Sequence, residues 1–371
     1  MSNTQYDIPD WVTEHRIRTW NWFNTIQTEG HPSWIRLCAK GDLLKPDHNA
    51  GLGWTALGFK LAQMLDFFTL DEANLRQDMV DRIKSFQETE GPERGYFLDP
   101  VQLKKGPDNW RFLPPRKEKD FNIRRAETRQ AIVALKGETA APDIPLDFMF
   151  ETKDQIREFI RGLPWDTNPW HSGSHVSHLI VFLMTNAEVF GQPQAQTELL
   201  PVVLEELERF FRPEIGSWFT GNPAENHKIN AAMKVYSGYD FLDTCPPGLE
   251  TMLDYSLDAA IEAGACNHVD LMFVLQIASK HTDYRREEIK KIAFEALPVI
   301  KQHIQPDGGL CYSLDGTQRN YYGMKVSKGL PNIGDMHGTK LFTWSIALIA
   351  DILGWREELG WRLPITLIKP L

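Results

Sequence analysis

The chain reads as an all-α protein, an (α/α)6 toroid of twelve antiparallel helices arranged as an inner and an outer ring. Three observations predict it. Twelve helix-length segments follow one another with no convincing strand of any length between them. Alternate segments differ in kind: the even-numbered ones are apolar along most of their length and carry small residues, whereas the odd-numbered ones carry charge, as in E-E-L-E-R and Y-R-R-E-E-I-K-K. The even ones also open on polar clusters, most clearly in P-A-E-N-H-K-I-N-A-A-M-K-V-Y-S-G-Y at 223–239. A helix that is apolar all round is buried and an amphipathic one forms an outer layer. A helical solenoid is the alternative, but solenoid repeats share a motif at a fixed period, and here the period is irregular.

The elements follow in order. Trp11, Ile17, Trp20, Phe23 and Ile26 recur near helical spacing and predict a first helix over 10–28. G-L-G-W-T at 51–55 opens a second, to about Phe68. A third covers 71–88, with Asp71 and Glu72 where the helix dipole favours acids. The segment 90–120 holds the pair Pro114-Pro115 and mixed charge, and is expected to be a long loop. The fourth helix begins near Asp120 and ends about Gly137; the fifth covers 150–162. The sixth follows P-W-H-S-G-S-H at 169–175, the seventh spans 194–211, and the eighth is the 223–239 stretch. The ninth runs over 248–263, the tenth starts at C-N-H-V-D (266–270), and the eleventh covers 285–303. A turn, P-D-G-G at 306–309, and a second long loop to Gly334 precede the twelfth helix, at 335–349. G-L-C-Y-S in that loop is a candidate for brief strand pairing. One domain over 1–371 is expected, with long loops at 90–120 and 306–334.

Composition narrows the class. With 42% hydrophobic and 24% charged residues in 371, the chain has material for a large core. No stretch reaches the roughly 18 apolar residues that span a membrane, and the N-terminus has no basic region followed by an apolar run. The four cysteines (Cys38, Cys245, Cys266, Cys311) are scattered, which fits a reducing cytoplasm better than a disulfide framework. A net charge of −10 argues against a nucleic-acid partner. Oligomeric state is left open.

In such a ring the N-termini of the inner helices share one end, which collects six helix dipoles and the polar residues at each start. These are Trp54 with Gly51 and Gly53; Asn122, Arg124, Arg125 and Glu127; His171, Ser172, Ser174 and His175; Glu225, Asn226, His227 and Lys228; Asn267, His268 and Asp270; and Asp335, His337 and Lys340. The loop 306–334 adds Tyr312, Arg319, Tyr321, Tyr322, Lys325 and Lys328. Several have a plain structural role available. Ser172, Ser174 and Asp335 suit helix caps, and Arg124, Arg125 and Glu127 suit a salt bridge. His178 suits a satisfied core position, and Asp240 falls at the far end. No cofactor is implied. Cys266, His268 and Asp270 alternate as C-x-H-x-D, and His171 and His175 are spaced i, i+4, which leaves zinc open, but neither set has the surrounding motif of a zinc site. The nucleophile elbow and the glycine-rich phosphate loops are absent.

P-D-G-G-L-C-Y at 306–312 is similar to the D-G-G-[FW] turns of the α/α-toroid proteins: six-hairpin glycosidases, toroidal polysaccharide lyases, and terpenoid cyclases with protein prenyltransferases. The resemblance is one of architecture. The cyclases' D-x-D-D motif is missing, and the prenyltransferase zinc set, an Asp two residues before a Cys with a distant His, is not matched.

Arg124, Arg125, Arg129, Arg319, Lys228, Lys325, Lys328 and Lys340 gather at the inferred mouth of an acidic protein, which favours an anionic small molecule or oligosaccharide. Trp54, Trp170, Trp218, Tyr321 and Tyr322 would stack on sugar faces. An acidic, uronate-containing glycan satisfies both. Hydrolysis needs two carboxyl groups roughly 5–9.5 Å apart, and Glu127, Glu225, Asp270 and Asp335 are the candidates. β-Elimination needs the uronate neutralised, by Asn226-His227 or Asn267-His268, and a base such as Tyr321 or Tyr322. Hydrolysis is slightly favoured. A prenyl diphosphate enzyme and a non-catalytic glycan-binding protein are the other expectations.

Overall fold

The computed structural model describes residues 6–70, 74–101, 116–147 and 149–363, without the side chains of 116–122. Among these residues are twelve helices of nine residues or more. The odd-numbered ones are α1 (His15–Ile26), α3 (Leu75–Lys84), α5 (Lys153–Arg161), α7 (Leu200–Glu208), α9 (Leu249–Leu257) and α11 (Arg286–Lys301). The even-numbered ones are α2 (Leu52–Leu65), α4 (Arg116–Lys136), α6 (Pro169–Phe190), α8 (Glu225–Phe241), α10 (Ala265–His281) and α12 (Met336–Leu353). Strands are confined to three two-stranded antiparallel pairs.

The even-numbered helices close a ring. Each packs on the next, from α2 through α4, α6, α8 and α10 to α12, and α12 returns to α2. They run parallel. Gly173 and Gly238 let α6 and α8 approach closely, with Gly173 against Ala231 and Ile180 against Gly238, so residue numbers rise together along the contact. Near the helix ends, Lys280 of α10 pairs with Asp240 of α8 at 2.9 Å, and Gln276 of α10 donates to Asp351 of α12 at 2.8 Å. Every residue of α2 is buried, as an inner position requires. The odd-numbered helices lie outside, each with one buried stripe. His15 of α1 reaches Thr343 of α12 at 2.8 Å, and α9 and α11 back α10 and α12. The (α/α)6 toroid is therefore the architecture, with even-numbered helices inside.

Local chemistry sets the boundaries. Asn168 caps α6 through the His171 N–H, with Pro169 at the first helical position. Thr152 and Gln155 form a capping box at α5. Gly191 and Gly354 end α6 and α12 in the left-handed conformation. α4 begins at Arg116, earlier than Asp120, and α3 begins at Leu75; Asp71, Glu72, most of the 90–120 loop's centre and the Asn122 side chain lie outside the described residues.

The loop 306–334 is fastened at both ends by aspartates. Asp307 accepts from Gly309 N–H (3.1 Å) and Gly334 N–H (3.0 Å), joining the loop's start to its finish. Asp335, fully buried, caps α12 through Gly338 N–H (2.8 Å). It also accepts from Tyr312 N–H (2.8 Å) and Gln318 N–H (3.0 Å) of the loop. A Cβ at Gly338 would sit 2.3 Å from the Tyr312 nitrogen, so the helix start and the loop are in backbone contact. The G-L-C-Y-S stretch contributes only single bridges, Ile304 to Leu310 and Ser313 to Gly316. Asp335→Ala would strand three buried N–H donors. We expect it to lose about 3 kcal/mol or more in urea unfolding; a loss under about 1 kcal/mol would show that the cap is dispensable.

Candidate functional site

The loop 306–334 folds over the starts of the inner helices and places its tyrosines among them. Tyr321 is buried. It donates its hydroxyl to Glu127 Oε1 of α4 at 2.8 Å and packs on Trp54 of α2, with ring centroids 4.6 Å apart. Tyr321 also meets Tyr322 (4.5 Å) and His337 of α12 (5.6 Å). Tyr312 stacks on His337 (5.1 Å) and donates to Cys266 Sγ of α10 at 3.1 Å. One loop thus joins α2, α4, α10 and α12. Tyr322, at φ 46°, takes a left-handed backbone, and its ring meets that of Tyr321 edge-on while staying partly exposed.

Glu127 is 1% exposed. Its Oε2 lies against Gly53 of α2, where a Cβ would come within 2.8 Å of it, and makes no hydrogen bond among the described residues. Burial lifts this carboxyl from 4.5 to about 7, against the pull of the Tyr321 hydrogen bond. A cavity of about 10 Å³, the scale of one water, lies between Gly53, Trp54, Asp99 and Tyr321, two of which touch Glu127.

A second buried carboxyl comes from α10, three places round the ring from α4 and therefore on the facing wall. Asp270 takes an ion pair from Lys234 of α8 at 3.2 Å. Its Oδ2 has no hydrogen bond; the Trp170 indole N–H, also unbonded, faces the same carboxylate. Burial raises Asp270, while Lys234 and then Lys340 oppose the rise. Lys340, 5% exposed, stands 3.9 Å over the Trp344 ring, and burial with neighbouring Arg129 and Lys234 lowers it to about 7. Lys60 of α2 donates to Gln130 of α4 and is also held down by burial, Lys340 and Arg129. His337 is kept a neutral imidazole, pushed down to about 3 by burial and by Lys340 and Lys234. Arg129, Gln130, Trp170, His178, Lys234, Tyr312, His337 and Trp344 are half-buried although they sit on inner helices or under the loop. Together they line an axis that is polar and water-accessible.

The sequence-derived candidates divide accordingly. Trp54, Glu127, Asp270, Tyr321, Tyr322, His337 and Lys340 are brought together. His171 and His175 line one wall, their Nε2 atoms 3.0 Å apart. The other carboxyls go elsewhere. Glu225, 76% exposed, pairs with Lys228 at 2.8 Å on the rim, and Asp335 is spent on backbone N–H groups. Asn226 and His227 are half-buried at the α8 start, whereas Lys228 is buried over Phe219 and Tyr255. Asn267 bridges Asn230 and Glu262. His268 corrects the expectation of a mouth residue: it turns outward to Ser345 (3.1 Å) and the Ala296 carbonyl (3.3 Å), and burial pushes it down to about 4. Arg124 pairs outward with Glu93, and Arg125 is buried over Phe159 and Phe182. Trp218 packs in the core on Phe211 and Tyr236, and Arg319, Lys325 and Lys328 are exposed on the loop.

Lys60, Lys234 and Trp344 escaped sequence inspection. The signal was there for the lysines: each is a cation set in an apolar stretch of an inner helix, L-G-F-K-L-A and A-A-M-K-V-Y. Among the described residues no three His, Cys, Asp or Glu side chains converge as metal ligands, and no helix is long and apolar enough to cross a membrane. C-x-H-x-D is split, with Cys266 on Tyr312, His268 turned out and Asp270 on Lys234.

No protein-family model and no curated protein matches the chain. Among solved structures it is similar to an inactive variant of the α-1,6-mannanase of Salegentibacter sp. HEL1_6, in complex with α-1,6-mannotetrose. That likeness has 12% identity, covers 93% of this chain and 100% of that one, and has a TM-score of 0.45. It is also similar to a variant of the type II terpene cyclase MstE from Scytonema, in complex with merosterolic acid A, with 12% identity, 94% and 98% coverage and a TM-score of 0.38.

A carboxyl held at about 7 in the fold and near 4.5 unfolded favours the folded state most below pH 4.5, and that advantage is lost as pH rises through 7. Glu127→Gln keeps the acceptor for Tyr321 without the charge. Relative to wild type, it should gain stability progressively between pH 4.5 and 7, by about 3 kcal/mol at the plateau. A pH-independent difference in unfolding free energy would show that Glu127 is ordinarily ionised.

Proposed function

We propose that the protein is a glycan-cleaving enzyme, a glycoside hydrolase acting on an acidic, uronate-containing oligosaccharide. The observation that carries this is the pair Glu127 and Asp270. Both are buried on facing inner helices, and each has one oxygen held by a protein donor and the other unbonded. Burial raises both, and they differ in their partners, a phenol at Glu127 and a cation at Asp270. Glu127, lifted to about 7 and flanked by a phenol, retains a proton to give to the leaving oxygen. Asp270 is raised by burial too, but Lys234 and then Lys340 oppose that rise, and in this reading it serves as nucleophile or as the base for a water. Trp54, Trp170 and Trp344 supply flat apolar faces for sugar rings.

Two other readings are less well supported. Elimination needs a phenol that ionises easily, and burial raises both Tyr321 and Tyr322. A prenyl or terpenoid chain needs an apolar wall, and this axis carries Lys60, Arg129, Lys234 and Lys340. A purely binding role leaves the shift of Glu127 without use.

The test is a panel of acidic and neutral oligosaccharides, read for new reducing ends and for unsaturated-uronate absorbance. Reducing ends without absorbance are expected. Glu127→Gln and Asp270→Asn should each cut the rate by about 100-fold or more, while Glu225→Gln changes it little. Wild-type kcat/KM should fall as pH rises through about 7, when Glu127 loses its proton. Absorbance at the unsaturated-uronate band, or full activity in both buried-carboxyl variants, would reject the assignment.

A further inference from the structure

The cations on the axis do not all have partners. Lys234 is paired with Asp270, and Lys60 is bonded to Gln130. Lys340 and Arg129 are different. Lys340 is 5% exposed and stands over the face of Trp344, a weak substitute for an anion. Arg129 is half-buried on the middle of α4, and its Nε is fully enclosed without an acceptor. Among the described residues neither makes an ion pair or a side-chain hydrogen bond; Asp270 and Cys266 act on Lys340, and Tyr322 on Arg129, only through their fields. Each lies in the other's field, and both lie in that of Lys60. Leaving cations desolvated, adjacent and unpaired costs several kcal/mol. A fold tolerates such an arrangement most readily where a ligand supplies the missing charge.

We infer that Lys340 and Arg129 form a subsite for an oxyanion borne by the substrate, a carboxylate or sulfate on a sugar ring. Trp344 beneath Lys340 offers the apolar face on which that ring would lie. This rests on the reading that the axis is where substrate binds, and it assigns acidic-sugar specificity to two residues rather than to the overall charge of the mouth. Bound anion would also draw a proton onto Lys340. The charged and titratable groups that face Lys340 are Lys60 from α2, Arg129 from α4, Lys234 from α8, Cys266 and Asp270 from α10, and His337 from its own helix. Burial first, then Arg129 and Lys234, favours the neutral amine against the pull of Cys266 and Asp270, and a bound anion would reverse that balance.

Calorimetric titration of the full chain with sodium sulfate, glucuronate and glucose tests the proposal. Sulfate and glucuronate should bind at least ten-fold more tightly than glucose. Lys340→Met and Arg129→Gln should each weaken both anions ten-fold or more, while Lys291→Met, on the outer face of α11, leaves them unchanged. A measurement on wild type alone covers the case in which the variants do not fold. At pH 8, in buffers of different ionisation enthalpy, anion binding should take up protons. Equal affinity for glucuronate and glucose, unchanged anion affinity in Lys340→Met, or no proton uptake would each overturn the subsite. Glucuronate binding by a protein that cleaves no glycan would remove the hydrolase reading and leave the subsite. Acidic-glycan cleavage undiminished in Lys340→Met would do the reverse.

Discussion

Charge buried along the axis of the ring is the constraint on which the rest of this structure depends. Six parallel inner helices enclose a space that side chains must fill, and apolar residues would fill it at least cost. Here α2, α4, α8, α10 and α12 send Lys60, Glu127, Arg129, Lys234, Asp270 and Lys340 towards one another. Each charge has to be offset locally, because water reaches the axis only in part. Tyr321 answers Glu127, Lys234 answers Asp270, and Gln130 answers Lys60. The remainder, Lys340 and Arg129, is net positive.

The loop 306–334 is the device that makes this interior usable. Asp307 and Asp335, at its two ends, spend their carboxylates on backbone N–H groups, so they contribute position and no chemistry. What they position is the tyrosine set. Tyr321 crosses from α12's neighbourhood to α4 and shields Glu127, and Tyr312 reaches α10. The link from sequence to function therefore runs through a turn, P-D-G-G, whose own residues never face the axis as acids. Losing the cap at Asp335 would disturb Glu127 through the loop, although the two carboxyls share no contact.

Much of the architecture was legible because helix hydrophobicity reports burial directly. L-G-W-T-A-L-G-F-K-L-A-Q-M-L has no polar face, so it had to be inner, while E-E-L-E-R could only be outer. The ends of helices were legible too, since polar residues cluster there. Which way each polar residue turns was not. Asp270 and His268 are two residues apart on α10, and the 200° between them sends one to the axis and the other to the outer layer. Glu225 and Glu127 read alike as acids near helix starts, yet one is on the rim and the other in the core, because α4 begins well before its acid. Lys60 and Lys234 carry no such end signal: they sit mid-helix in apolar stretches, where sequence does not say whether a lysine turns to the axis or outward.

The most direct test of the central claim is a crystal structure of Glu127→Gln with an acidic oligosaccharide soaked in. The account predicts a sugar chain threaded along the axis, with a glycosidic oxygen beside residue 127 and the same linkage facing Asp270. A chain lying on the outer rim near Glu225, with the axis empty, would contradict it.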